Sequence, residues 1–202
     1  DQIDNKTFAP EEFKYLKPLE NLSKQIPTYA VLGNHEYGIS CYNGVEEECS
    51  HTGDVSTESK TTIEQLGINY LTNNLEKIAI NSSSFYLFGG DSYWAKKIDY
   101  SILETRAENI PTIALIHNPA FQFSDYPNDI DLVLSGHTHG GQIRLPFIGP
   151  LGLVDNILPR KYYQGLHQIS DYTKLLITSG AGETGVRARL FNPPEIVLLI
   201  IR

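Results

Sequence analysis

Methionine is absent from the 202 residues of the chain, and cysteine occurs only twice. The sequence has no apolar run of the ~18 residues that a membrane-spanning helix requires, and it shows no signal peptide. Acidic side chains outnumber basic ones, 24 Asp and Glu against 16 Lys and Arg, for a net charge of −8 at pH 7. The acidic composition argues against a broad basic surface for nucleic acid. A phosphorylated substrate is compatible with it, because bound divalent cations can invert the local field.

The missing methionine also bears on the start of the chain. The sequence opens on Asp1, which predicts that an N-terminal segment has been removed together with any targeting signal. What is present is typical of a single globular domain over residues 1–202, since 41% of the residues are hydrophobic and 20% are charged.

The two cysteines, Cys41 and Cys49, lie in one polar loop, and His51 follows close behind. Their spacing matches no common zinc motif. Three interpretations stay open: a local disulfide in an exported protein, two free thiols, or a metal site that includes His51.

Hydrophobic periodicity gives a coarse map of the secondary structure. Apolar residues recur every three positions over 10–25, which predicts a helix that Pro18 bends. Two more helices are predicted over 57–66 and 98–108. Short apolar strands are predicted at 29–32, 68–71, 76–80, 85–89, 113–116, 132–135, 174–180 and 195–201. Several of these strands are apolar on both faces, so the pattern indicates an α/β sandwich with mixed sheets.

Three of the predicted strands end in the same kind of chemistry. "YAVL" runs into Gly33-Asn34-His35-Glu36, "IALI" into His117-Asn118-Pro119, and "LVLS" into Gly136-His137-Thr138-His139. Sites in open α/β sheets form beyond the carboxyl ends of the strands, so we expect these side chains to meet. Imidazole suits Zn, Mn, Fe and Ni ions, and amide oxygen suits harder ions such as Mn. A mixed set of this kind, spread over several loops, is typical of two metals about 3.5–4 Å apart.

The two neighbouring histidines lie in a run of glycines. In extended backbone, residues i and i+2 point the same way, so His137 and His139 are expected to reach one side together. The flanking glycines permit unusual backbone dihedrals and a close approach to an ion.

One pattern in the tail is misleading. Gly180, Gly182 and Gly185 form a GxGxxG motif after an apolar strand. A dinucleotide-binding fold needs a long helix next, and an acidic residue about 20 positions further on. Here Pro193 and Pro194 follow within a few residues, so we interpret the stretch as a tight turn near the site.

In combination, "GNHEY", "IHNP" and "SGHTHGGQIRLP" resemble the calcineurin-like metallophosphoesterase superfamily. "SGAGETGVRARLFNPPEI" resembles its bacterial subgroup of membrane-associated or exported phosphodiesterases, similar to UDP-2,3-diacylglucosamine hydrolases and cell-wall phosphodiesterases. The resemblance implies a four-layer α/β/β/α sandwich of two mixed sheets, lacking its N-terminal strands in this chain. It also implies a hydrolase in which a water that bridges two divalent metal ions, Mn, Zn, Fe or Ni, attacks phosphorus.

The resemblance further implies a set of metal ligands. "DQID" matches the remainder of the family's GDxxD motif, which makes Asp1 the aspartate that bridges both metals. Asn34, His117 and His137 would complete the shell of the second metal, and His139 would bind the first.

The catalytic residues implied by the resemblance are His35, which protonates or steadies the leaving group, and Glu36, its orienting partner. The family's DxH motif, which supplies an Asp and a His to the first metal, is absent from the sequence. We therefore expect the chain to be a fragment of a parent enzyme, with most of one metal shell and part of the other.

Substrate and location are defined less sharply. The resemblance implies a phosphodiester or pyrophosphate, small or lipid-linked, and a bacterial membrane-associated or extracytoplasmic protein. Segment 145–170 is rich in apolar and aromatic residues, which either rim the site near a membrane or pack the domain edge. Arg144, Arg160 and Arg187 either bind phosphate or are surface charges. Two other functions stay open: a phosphomonoesterase like the phosphoprotein phosphatases, and a non-catalytic metal-binding scaffold.

Overall fold

Strands provide most of the regular structure. The computed structural model of the chain describes residues 1–3, 11–41, 49–119, 125–127, 129–151, 158–185 and 187–201. The strands are β1 Tyr29–Val31, β2 Ile39–Cys41, β3 Cys49–His51, β4 Asn69–Leu71, β5 Asn74–Ile80, β6 Ser83–Gly89, β7 Thr112–Leu115, β8 Leu132–Ser135, β9 Arg144–Leu145, β10 Gly149–Pro150, β11 Gly165–Gln168 and β12 Lys174–Ile177. The helices are α1 Pro18–Ser23 and α2 Ser56–Glu64, and 3₁₀ turns cover Glu12–Leu16, His35–Tyr37, Ser101–Thr105, His139–Gly141 and Arg160–Tyr162.

The helices are shorter than their periodicity predicted. The helix expected over 57–66 is present as α2. The helix expected over 10–25 is divided, because Pro18 begins a new helix, α1, after a 3₁₀ turn instead of bending one continuous helix. Proline suits a first helical position, where no backbone N–H is needed. The prediction of a helix over 98–108 is wrong, since only a 3₁₀ turn forms there, at Ser101–Thr105. None of the helices in the described ranges is long and apolar enough to cross a membrane.

The main sheet has six strands in the order β11-β12-β8-β7-β6-β5. Its four central strands are parallel, and its two outer strands, β11 and β5, are antiparallel to their neighbours. A second sheet consists of β1 and β4, which are parallel. The α/β fold with mixed sheets is therefore confirmed.

The two sheets face each other across an apolar layer. Leu71 of the small sheet packs with Leu87 and Ile113 of the main sheet. Alternate residues of the same strands, such as Phe88 and Ala114, point to the other face and form the largest core cluster. Helix α2 covers the outside of the small sheet through Ile63. The outside of the main sheet is covered by 3₁₀ turns and loops, where the four-layer arrangement expects helices.

Two peripheral predictions have different outcomes. The prediction of a strand over 195–201 is wrong: these residues have no regular secondary structure, and apolar side chains such as Ile196 and Leu198 are exposed.

The polar loop that holds the cysteines includes the hairpin β2–β3, which pairs Cys41 directly opposite Cys49 in its backbone. The cysteine side chains lie outside the described part of the structure, so the three interpretations stay predictions.

Candidate metal centre

Two of the three strand ends meet at one cavity of about 440 Å³ between the two sheets. β7 delivers His117 to it, and β8 delivers His137 and His139. The third strand, β1, lines the cavity with Tyr29, Ala30 and Val31, whereas Asn34, His35 and Glu36 are not among the lining residues. Asp1 also lines the cavity, although it precedes every strand in the sequence. Nη1 of Arg144 donates to the carbonyl of Gly140 over 3.0 Å, and its expected role as a phosphate ligand or a surface charge stays a prediction.

Asp1, His117 and His137 form a cluster with the spacing of a metal site. One ligand atom from each lies within 4.8 Å of the other two. Oδ2 of Asp1 is 2.7 Å from Nε2 of His117. The ring centroids of His117 and His137 are 5.4 Å apart, with the rings edge to face.

Three buried imidazole nitrogens lack hydrogen bonds to the described residues: Nε2 of His117, Nε2 of His137 and Nδ1 of His139. The short contact of His117 with Asp1 is a close approach without hydrogen-bond geometry, as expected of two ligands that share an ion. Buried polar atoms are nearly always paired, so three orphans in one cavity require an explanation. Divalent metal ions supply it, because metals bind imidazole through such a lone pair. The donor set therefore fits a metal site.

Burial also selects the protonation state that a metal needs. Desolvation lowers the pKa of His117 and of His137 well below the usual value, and neighbouring positive groups act in the same direction. Desolvation and the nearby charge of Arg189 lower the pKa of His139 to about 4. All three imidazoles are therefore neutral at pH 7, which is the form that binds a cation.

The backbone of the histidine loop differs from the extended form that the sequence suggested. His137 and His139 have φ of 66° and 49°, so both lie in the left-handed region. The expectation of an extended i, i+2 pair is wrong, although both side chains do line the same cavity. Gly141 has φ of 77°, and a Cβ there would lie 2.3 Å from Cβ of Pro150. Gly141 therefore allows the backbone to pack closely against Pro150, whereas the sequence analysis expected the flanking glycines to allow close approach to an ion.

The GNHE motif forms a tight turn around Asp1. The backbone N–H of His35 donates to Oδ1 of Asp1 over 2.9 Å, and Nδ1 of the His35 ring lies 3.0 Å from the carbonyl oxygen of Ile3. The fully buried carboxylate of Glu36 accepts hydrogen bonds from the N–H groups of Gly33 and Gln2. Burial alone would raise the pKa of Glu36, but the Asp1 amine and these donors outweigh it and lower the pKa. Glu36 therefore holds the backbone at Gln2, and the carbonyl of the next residue, Ile3, orients the His35 ring.

A fourth strand end supports the site, and the sequence analysis missed it. Gly90, Asp91 and Ser92 follow β6, and Oη of Tyr37 donates to Oδ1 of Asp91 over 2.7 Å. The signal was present as "GGDS" after an apolar strand. Trp94, two residues further on, packs its ring edge to face on His137 at 4.4 Å between centroids. No sequence pattern pointed to Trp94.

The misleading GxGxxG stretch has the predicted outcome. Gly180 and Gly182 lie in a turn after β12 and line the cavity. No helix follows in residues 178–185 and 187–201, so a dinucleotide-binding motif is excluded there.

Fold and cavity together define an α/β protein whose donor set fits a metal site. The family model for calcineurin-like phosphoesterases matches residues 1–141, and the chain belongs to this family. It is 34% identical to an uncharacterized metallophosphoesterase of Helicobacter pylori over 92% of this chain and 45% of that protein. It is 31% identical to phosphodiesterase YaeI of Escherichia coli, over 90% of this chain and 60% of YaeI. A transmembrane protein with a metallophosphoesterase domain from Bos taurus is 30% identical over 92% of this chain and 41% of its own length. The chain spans about half the length of these relatives.

Proposed function

We propose that this protein hydrolyses phosphodiester or pyrophosphate bonds with the help of two divalent metal ions. The observation that carries the proposal is a set of three buried imidazole nitrogens without hydrogen bonds, from residues that line one cavity beside Asp1. Similarity to YaeI, which is named a phosphodiesterase, favours a diester substrate.

The proposed ligands fall into two groups. Asp1, Asn34, His117 and His137 would hold one ion, and His139 would contribute to the other with Asp1 shared between them. Bound divalent ions neutralise phosphoryl charge and lower the pKa of a bound water. Mn, Zn, Fe and Ni all suit this nitrogen and oxygen donor set. Mn is our first choice because two of the four ligands proposed for one ion, Asp1 and Asn34, supply oxygen.

The chain's own residues have two further roles in the proposal. The carbonyl of Ile3 accepts from Nδ1–H of His35, so Nε2 is the nitrogen that would donate to the leaving oxygen. It carries a proton for this step only when the ring is protonated on both nitrogens, and the ring becomes neutral once the leaving oxygen has taken that proton. General acid help of this kind is worth about 10²–10⁴-fold. Glu36 would secure the orientation of His35 by holding Gln2.

We also propose that the substrate is lipid-linked and that the protein contacts a membrane surface. The turn between β9 and β10 carries a fully exposed Phe147 next to an exposed Ile148, and Phe191 shares a groove with them. Residues 141–202 hold seven basic and four acidic side chains, whereas residues 1–140 hold nine and 20. An apolar tip within the basic part of the sequence of an acidic protein suits an anionic lipid surface. Such a protein would belong to the bacterial membrane or to an extracytoplasmic compartment.

Hydrolysis of bis(4-nitrophenyl) phosphate with added Mn²⁺ tests the proposed activity. It is measured with this chain and with a version extended upstream through the family's DxH motif, and metal content is determined in the same samples. We expect His35→Ala to lower turnover more than metal content, and His137→Ala and Asn34→Ala to lower both. Equal metal loss in all three variants, or none in His137→Ala, would contradict the assigned roles.

Two alternatives are decided by the same assay. Faster hydrolysis of 4-nitrophenyl phosphate than of the diester would favour a phosphomonoesterase. Metal binding without turnover of either substrate by the extended protein would favour a non-catalytic scaffold.

A further inference from the structure

Asn118 is a polar side chain in a fully buried position. It follows His117 at the end of β7, and its relative exposure is 0%. Its Nδ2 donates to Oδ1 of Asn34 over 2.8 Å, although the two residues are 84 positions apart. A buried amide is costly unless it is hydrogen-bonded, so this contact has to be maintained in the folded protein.

The orientation of the Asn34 amide is fixed on both sides. Its Nδ2 donates to the carbonyl oxygen of Ile39 over 2.7 Å, and a carbonyl can only accept. Oδ1 is therefore the atom that faces Asn118. An amide oxygen has two lone pairs, of which Asn118 uses one and leaves the other for a metal ion.

The loop after β6 orients Asn118 in turn. The backbone N–H of Ala95 donates to Oγ of Ser92, and this hydroxyl donates to Oδ1 of Asn118 over 3.4 Å. Ser92, Asn118 and Asn34 are all buried. The carbonyl of Ile39 can only accept, so it determines the direction of this chain of hydrogen bonds from that end: Asn34 donates to Ile39, and Asn118 donates to Asn34.

We propose that Asn118 is a positioning residue that presents the oxygen of Asn34, and not its nitrogen, to the metal. This inference rests on the proposed function, in which Asn34 is a ligand. If Asn118 is replaced by Asp, a carboxylate oxygen faces Oδ1 of Asn34, and the two acceptors repel each other. Relief requires the Asn34 amide to turn over, which breaks its bond to Ile39 and directs an N–H group at the cation.

Simple charge attraction predicts the opposite effect of the same substitution. A carboxylate added beside a dication strengthens its binding, whereas the positioning role requires weaker binding despite the added charge. The sign of the change therefore separates the two explanations.

The experiment measures Mn²⁺ and Zn²⁺ binding to the metal-free chain by titration calorimetry. We expect Asn118→Asp and Asn118→Leu to weaken binding by about 10–100-fold, the usual effect of losing a residue that orients a ligand. Asn109→Asp, which adds the same charge at an exposed turn, is the matched control and should bind like the wild type. Urea unfolding in EDTA reports whether each variant is folded, and Ser92→Ala is a milder change if both Asn118 variants unfold.

A double substitution supplies a signature that a merely structural role would not give. In an Asn34→Ala background, Asn118→Leu should cause no further loss of affinity, because the group that it positions is gone. Additive losses would overturn the positioning role, and so would an Asn118→Asp variant that binds either ion as tightly as the wild type. A wild-type chain that binds neither ion would overturn the metal assignment and the positioning role together.

Discussion

Two motif glycines should respond oppositely to the same substitution. Gly33 opens the GNHE motif and Gly136 opens the GHTH motif, and neither has the left-handed backbone that excludes alanine. A Cβ on Gly33 would lie 2.0 Å from Oδ1 and 2.8 Å from Cγ of Asp1. A Cβ on Gly136 would meet nothing within 4 Å.

The size of the effect follows from the overlap. Nonbonded contacts of Cβ are essentially never shorter than 3.0 Å, so Asp1 has to move by about 1 Å or more in Gly33→Ala. That movement breaks the hydrogen bond from His35 and takes a carboxylate oxygen out of the cluster with His117. Losing the orientation of a metal ligand typically costs about 10–100-fold in affinity, and displacement of the ligand itself belongs at the upper end of that range. We therefore expect Gly33→Ala to weaken Mn²⁺ binding by about 100-fold, or about 2.7 kcal/mol.

Titration calorimetry of both variants with Mn²⁺ checks this reasoning. Gly136→Ala should bind within about threefold of the wild type, because the methyl group enters open space. Equal losses in the two variants would refute the steric argument and indicate that any side chain in these motifs is harmful. Unchanged binding in Gly33→Ala would show that Asp1 is not a ligand in this chain.

Two further predictions concern the histidines and the tryptophan. Above pH 6.5 the buried His139 is neutral in both the folded and the unfolded chain, and between pH 6.5 and about 4 only the unfolded chain takes up its proton. The metal-free protein should therefore lose up to about 1.4 kcal/mol of stability per pH unit from His139 as the pH falls through this window. Urea unfolding of His139→Gln should show a flatter dependence from pH 7 to 5.5, and His167→Gln, in β11, should keep the wild-type slope. Mn²⁺ should quench the fluorescence of Trp94, the only tryptophan, because its ring is 4.4 Å from that of His137. EDTA should reverse the quenching, and persistent quenching in His137→Ala would exclude this residue as the ligand.

The residues of the site were more predictable than its geometry. Apolar strands followed by His, Asn and Glu indicated where the sheet would collect ligands, and the cavity does contain His117, His137 and His139. The left-handed turn that aims His137 was not predictable, because positive φ at a histidine is a strained choice that only the surrounding packing maintains. The indirect effect of Glu36 on the orientation of His35 was not predictable either, because it depends on the hydrogen bond from Gln2 to Glu36, which joins distant segments of the chain.

The secondary structure shows the same division. The apolar runs that became β6, β7 and β8 were predicted because strands buried between layers are apolar on both faces. The tail over 195–201 has the same composition but pairs with no strand in the described part of the structure. Composition is local information, and strand formation needs a neighbour with free hydrogen-bonding groups.

The sequence by itself indicated the chemical class of the protein, since imidazole, amide and carboxylate groups collected at strand ends are the donor types that divalent metal ions bind. Tertiary structure decided which of these groups act together. It placed Asp1 against His117, Tyr37 against Asp91, and Asn118 against Asn34. The physical reason is that hydrogen bonds and steric contacts act over about 3 Å, and only the folded chain brings residues distant in sequence within that range.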